Sequence, residues 1–121
     1  MRSIRFFLTA LMVVMSASIF AQAQTDTIKV YGNCGMCKNR IEKALKVEGV
    51  SSAVWSPETK LLIVSYDTAK ISNDDIQKKI VAVGHDTEKY SADDQVYNKL
   101  PGCCLYKRKN NKENENNSSH Q

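Results

Sequence analysis

The sequence predicts an α+β domain with its elements in the order β-α-β-β-α-β. Three observations carry this. Two segments, Lys38 to Val47 and Ser72 to Val83, repeat apolar residues at helical spacing. Between them, Val50 to Ser56 and Leu61 to Tyr66 read as strands, joined by the turn-forming stretch Pro57-Glu58-Thr59-Lys60. A β-branched run, Thr25 to Tyr31, precedes the first helix, and His85 to Tyr90 after the second can form a fourth strand. That order is the ferredoxin-like split βαβ arrangement.

Taken in order, the chain opens on a leader. Arg2 and Arg5 precede an apolar run from Phe6 to Phe20, and Ala21-Gln22-Ala23 is a small-x-small cleavage signature, so residues 1–23 read as a secretory signal peptide. A membrane anchor is disfavoured: the run contains Thr9, Ser16 and Ser18 and is shorter than the roughly 20 apolar residues a span requires. Removing Arg2 and Arg5 takes the 17 basic residues to 15 against 13 acidic ones, and the formal charge from +4 to +2. So small an excess argues neither for nucleic acid nor for a membrane as partner. Export, to the periplasm, places the four cysteines in an oxidising compartment.

In the first strand Ile28 and Val30 share a face. The first helix gathers Ile41, Ala44 and Leu45 on one stripe, with Lys38, Arg40, Lys43 and Lys46 largely elsewhere, and Gly49 reads as its C-cap. Ser72 caps the second helix with Asp75 as capping-box partner, Ile76, Ile80 and Val83 face the core, and Gly84 stops it.

The chemistry is concentrated at the first strand-to-helix turn, Tyr31-Gly32-Asn33-Cys34-Gly35-Met36-Cys37. Two residues between cysteines let both sulfurs reach one atom, or close a small disulfide. The thiolate is the reactive form in either case, and the free N–H groups and dipole of a helix start favour it. Cys34 and Cys37 are therefore expected to be acidic thiols in an exposed loop.

This segment resembles the metal-binding loop of the heavy-metal-associated domain, found in copper chaperones, metal-pumping ATPases and the periplasmic mercury-binding protein. Cys34 and Cys37 fall on the two cysteines of the family's M-x-C-x-x-C pattern, whereas Gly32 stands where the family has methionine. The resemblance covers Thr25 to Tyr90, so the heavy-metal-associated domain is set at residues 24–90. It implies two helices on one face of a four-stranded antiparallel sheet, with the other face open. It also implies a cargo ion and a metal-transporting ATPase or other metal acceptor as partner.

Two thiolates suit Cu(I), Hg(II) and, less selectively, Zn(II) or Cd(II). Zinc prefers four ligands and is poorly served by two cysteines. Cu(I) is the favoured ion, Hg(II) the runner-up. His85 lies in the loop that family members bring near the cysteines and is a further candidate, as is the thioether of Met36. The basic helix residues could steer an acidic partner, although a solvated helix face is the better account of them. The competing class is a thiol–disulfide oxidoreductase using Cys34 and Cys37. Such folds place a proline opposite the motif, and the two prolines here, Pro57 and Pro101, lie in a hairpin turn and beyond the domain. No acid–base pair, nucleophile triad or phosphate loop suggests an enzyme.

Residues 91–106 form an extension. Ser91 and Asp94 read as a capping box ahead of a short stripe of Val96, Tyr97 and Leu100, and Pro101-Gly102 then precedes Cys103-Cys104. From Ser91 to Gly102 the chain can reach about 40 Å extended or about 18 Å as helix, enough to return Cys103 and Cys104 to Cys34 and Cys37. A second thiolate pair could complete, guard or relay the metal site; a disulfide or an independent second site are the alternatives. A path across the open sheet face, with Tyr97 and Leu100 covering Leu61 and Ile63, is the expected route. Residues 107–121 are polar and expected to be a disordered tail, with His120 incidental.

Overall fold

The structure is a computed structural model that describes residues 22–108. The body of the predicted leader and most of the polar tail, including His120, lie outside the described residues.

Strand β1 (Ala23–Lys29) is followed by helix α1 (Gly35–Ala44), the hairpin β2 (Val50–Trp55) and β3 (Leu61–Asp67), helix α2 (Asn73–Ala82), a short helix α3 (Asp94–Asn98), and a single 3-10 turn (Gly102–Cys104). The sheet is antiparallel in the order β1-β3-β2. Thr27 pairs with Ile63 and Ile28 with Leu62 on one side, and Trp55 pairs with Leu62 on the other. The register slips between Val50 and Ser52, which leaves Ser51 as an extra residue on β2.

Alternation along β3 sorts its side chains by face. Leu62, Val64 and Tyr66 are buried against Ile28, Ile41, Trp55, Ile76 and Ile80, while Leu61 and Ile63 point outward with Val54. Ser72 and Asp75 form the expected capping box, their side chains taking each other's backbone N–H at 3.1 and 3.3 Å. Tyr66 donates to Asp26 at 2.6 Å, and Asn73 donates to the same carboxylate at 2.8 Å, which ties the start of α2 to β1.

Five expectations change. Among the described residues the sheet has three strands, not four: His85 to Tyr90 contributes only an isolated bridge, Thr87 to Val30. The cause is local. Thr87 N–H donates to Tyr90 O at 2.9 Å, which turns the chain back, and Gln77 Oε1 takes the Thr87 hydroxyl at 2.7 Å and Lys89 N–H at 3.2 Å. Side chains thus satisfy groups that a ladder would otherwise use.

Helix α1 begins at Gly35 rather than Lys38 and ends at Ala44, with Cys34 extended at its N-cap. Gly49 does not cap it. Its φ of +94° serves the turn into β2, where its carbonyl accepts from Asp67 N–H at 2.7 Å. The cap of α3 is Asp93, which accepts from Gln95 N–H at 2.8 Å, in place of the expected Ser91–Asp94 box.

The extension does not cross the open sheet face, and Leu61, Ile63 and Val54 stay 38%, 53% and 56% exposed. Instead it folds over the end of the domain where Gly84 leaves α2. A Cβ at Gly84 would lie 3.1 Å from the Leu100 side chain, and Tyr97 meets Tyr106 edge-on at 5.1 Å. This route brings the 3-10 turn to the first cysteine loop.

Candidate metal centre

Two segments some seventy residues apart in sequence meet at this end of the molecule. The first is the loop from β1 into α1. Val30 and Tyr31 are held down by N–H bonds to Lys60 O and Asp86 O, both 2.9 Å. Trp55 Nε1 donates to Val30 O at 3.0 Å and lays its ring under Gly32, where a Cβ would come within 3.0 Å of the indole and 3.2 Å of Cys37 Cβ. The departure from the family's methionine at this position thus has a steric reason: the indole fills the space. Lys38 reinforces the corner through Trp55 O at 2.9 Å and Glu42 at 2.8 Å, so this cation is committed within the fold.

The second segment is the extension, and its anchors are long-range. Tyr106 is buried. Its hydroxyl donates to Gly84 O and accepts from Asp86 N–H, each at 2.8 Å, and its ring stacks on His85 with centroids 5.3 Å apart. Arg108 grips the buried Asp86 carboxylate with two nitrogens at 2.9 and 3.0 Å, also donates to Ala92 O, and pairs with Asp94. Arg108 falls among residues assigned from sequence to the polar tail, yet it is the clasp of the extension. Buried, bidentate charge pairing of this kind fixes geometry more than it adds stability.

The result is a cluster of sulfur. Cys34 Sγ lies 3.8 Å from Cys37 Sγ and 3.9 Å from Cys104 Sγ, and all three sulfurs fall within 4.8 Å of one another. Cys37 and Cys104 are buried, contrary to the exposed loop expected for Cys37, while Cys34 is half-buried. A thiolate–metal bond of about 2.3 Å sets sulfurs about 4.0 Å apart in a trigonal site and about 4.6 Å apart in a linear one. The two edges that Cys34 makes lie near the trigonal value and near the roughly 3.8 Å of a tetrahedral site, and well short of the linear one. All four cysteines are free thiols, so neither the vicinal nor the long-range disulfide is formed.

The electrostatics differ around the cluster. The Cys37 backbone N–H, with lesser help from Met36 N–H and the neighbouring thiols, holds the Cys34 thiol down at about 7 against an opposing effect of burial. Burial, then the Cys37 and Cys34 sulfurs, pushes the Cys104 thiol well above its ordinary value. Cys103 is exposed; its thiol donates to Met36 Sδ at 3.3 Å and lies 3.9 Å from Cys104 Sγ.

The structure does not bring His85 into the cluster. The imidazole is buried with Nδ1 2.8 Å from Tyr31 O, which requires Nδ1 to carry the proton, and its stack on Tyr106 places it as support beneath the extension. Desolvation lowers its pKa and keeps it neutral. Met36 is half-exposed and reaches the cluster only through Cys103. The residues that the sequence reading missed are the anchors Asp86, Tyr106 and Arg108; their signal is the apolar-and-basic run Leu105-Tyr106-Lys107-Arg108 immediately after the second cysteine pair.

Comparison with known proteins agrees with this geometry. The model of the heavy-metal-associated domain matches residues 27–86. The mercuric transport protein periplasmic component of Serratia marcescens is 34% identical over 76 residues, covering 61% of this chain and 84% of that protein. Among solved structures, oxidized MerP from Ralstonia metallidurans CH34 is 35% identical, with a TM-score of 0.52 over 55% of this chain and 94% of that one. The N-terminal domain of a potential copper-translocating P-type ATPase from Bacillus subtilis, in a Cu(I)-loaded state, is 28% identical with a TM-score of 0.52, over 54% and 84% of the two chains. The fold around the strand-to-helix turn is shared with these relatives; Cys34 and Cys37 lie within the residues that the family model matches, and Cys103 and Cys104 lie beyond them. The chain belongs to the heavy-metal-associated domain family.

Proposed function

We propose that this protein binds one soft heavy-metal ion between the thiolates of Cys34, Cys37 and Cys104 and delivers it to an acceptor protein. The observation that carries the reading is the sulfur cluster: Cys34 Sγ lies 3.8 and 3.9 Å from its two neighbours and all three sulfurs fall within 4.8 Å of one another, close enough for three thiolates to share one ion. Three soft donors in a largely dry site favour Hg(II) or Cu(I) over harder ions. Zinc would keep an open fourth position, which disfavours a structural zinc site.

Sequence alone favours Cu(I). The mercuric names of the curated relatives move Hg(II) to first place, and the Cu(I)-loaded relative keeps Cu(I) as the second reading. The relatives' description as periplasmic components supports export to that compartment. A metal-transporting ATPase domain among the structural relatives supports a membrane metal pump as the class of acceptor. Nothing in this arrangement calls for catalysis. A thiol–disulfide role would use Cys34 and Cys37 as a redox pair and leave Cys104 without a task.

The test is a competition titration of the fully reduced protein with Hg(II) and Cu(I), beside Cys34→Ser/Cys37→Ser and Cys104→Ser. The reading expects one tightly held ion per chain, abolished in the double variant and weakened in Cys104→Ser. Metal-free catalysis of disulfide exchange, with no tight ion binding, would instead establish the oxidoreductase class.

A further inference from the structure

The sulfur cluster does not end at the three buried or half-buried thiols. Cys103 Sγ stands 3.9 Å from Cys104 Sγ, and Met36 Sδ accepts from the Cys103 thiol at 3.3 Å. Both Cys103 and Met36 are open to solvent, while Cys37 and Cys104 are closed off. Met36, Arg40 and Lys43 line an open groove leading away from this point. The molecule thus carries a line of soft donors running from its surface inward: Met36, Cys103, Cys104, Cys34, Cys37.

We infer that Cys103, backed by Met36, is the port through which the ion enters and leaves the three-thiolate site. This rests on the metal-binding reading above and adds a kinetic role to it. With metal–sulfur bonds of about 2.3 Å, two sulfurs 3.8–3.9 Å apart subtend about 110–115° at a shared ion, so each neighbouring pair can hold the ion together. The ion therefore passes along the line without ever being free.

The steps balance as ligand exchange, with no redox change. An ion arrives on the thiolates of a donor. The Cys103 thiol bonds to it as one donor sulfur leaves, and the proton from Cys103 goes to that leaving sulfur. Cys104 then bonds to the ion, passing its proton to the second donor sulfur as that departs. Cys34 and Cys37 complete the triangle as each loses its proton, and Cys103 withdraws, taking up one of these protons while the other passes to solvent. Delivery runs the same sequence backwards, with an acceptor thiolate first engaging the ion beside Cys103. The adjacent position of the two cysteines is what allows this. One backbone turn, Gly102–Cys104, carries one sulfur facing in and one facing out.

Equilibrium affinity and exchange rate separate the role of Cys103 from that of the resident ligands. The experiment follows stopped-flow transfer of Hg(II), supplied as its bis-glutathione complex, into the reduced full chain, and out again to excess dithiol chelator. The forms compared are wild type, Cys103→Ser, Met36→Leu and Cys104→Ser. Cys103→Ser is expected to slow both directions by about tenfold or more while its equilibrium affinity stays within about threefold of wild type, since exchange rates follow access to an attacking thiol. Met36→Leu should slow transfer by a smaller factor.

Wild-type transfer rates in Cys103→Ser would overturn the port, as would a loss of affinity as large as that of Cys104→Ser, which would make Cys103 a resident ligand. Failure of the wild type to hold Hg(II) at all would remove the metal-binding reading itself, an outcome visible in the affinity before any rate is compared. Circular dichroism of each variant, and a count of free thiols, exclude misfolding and oxidation as causes of slow transfer.

Discussion

The two cysteine-bearing segments reach the same point by different means. Cys34 and Cys37 are placed locally: a strand end, a glycine over Trp55 and a helix N-terminus suffice, and the backbone N–H groups there acidify Cys34. Cys103 and Cys104 are placed from afar, by Tyr106 on Gly84 and Asp86 and by Arg108 on Asp86. In the second segment burial works against a thiolate at Cys104. The family's pair is therefore a ready-made binding loop. On the proposed function, the added pair supplies a third ligand, Cys104, that becomes favourable only when an ion is present to stabilise its thiolate. Metal binding and docking of the extension should be coupled.

The largest effect that would follow is at the local pair. Cys34→Ser/Cys37→Ser should abolish tight Hg(II) and Cu(I) binding, whereas Cys104→Ser should leave a weaker, two-coordinate site, as competition titration will show. If Cys104→Ser were as damaging as the double change, the division between a primary loop and an added ligand would fail.

Next comes the clasp. Arg108→Ala strips the buried Asp86 carboxylate of its partner, and losing one partner of such a pair costs about 3–5 kcal/mol. Urea unfolding should register that loss, and metal affinity should fall to the Cys104→Ser level although Arg108 touches no sulfur. Full affinity in a folded Arg108→Ala protein would mean that the extension is held some other way.

Gly32→Ala tests the local segment. Its Cβ would press on Trp55 and Cys37, and overpacking of this kind costs about 1–3 kcal/mol. The change should lower stability and metal affinity together.

Smaller effects are tied to pH. Alkylation of metal-free protein by iodoacetamide should rise at Cys34 through a midpoint near 7, as its thiol deprotonates, while Cys104 stays unreactive well above that. Peptide mass spectrometry separates the sites. His85, neutral in the fold with a lowered pKa, contributes stability that is complete above its unfolded value of about 6.5 and lost as pH falls through its folded value. Urea midpoints should therefore drop between pH 7 and pH 5, and His85→Gln should flatten that slope.

Much of this was legible in sequence because its causes are local. The order of the elements through α2, the Ser72–Asp75 box, the outward Leu61 and Ile63, and the cysteine pair at the helix start all depend on neighbours a few residues away. The fourth strand was not legible. Its backbone is diverted by Gln77 and by the Thr87–Tyr90 turn, and its Asp86 is committed to a residue 22 positions on. The start of α1 was hidden because its N-cap is a cysteine without a capping side-chain bond. Asp93 and Ser91, two residues apart, offer equivalent capping chemistry, and only the fold chooses between them. His85 was read as a possible ligand from its place in the loop; Tyr106, which turns it into a buried support, lies 21 residues later. The convergence of Cys104 on Cys34 was foreseeable as a reach, but its route over Gly84 depends on Leu100 and Tyr97 finding each other's neighbours in three dimensions.

The most direct measurement is X-ray absorption at the metal edge of reduced protein carrying one equivalent of Hg(II), with Cys104→Ser alongside. The account predicts three sulfur ligands in the wild type and two in the variant, with correspondingly longer bonds in the first. Two sulfurs in both would contradict it, and would return the extension to a structural role beside a family site that works without it.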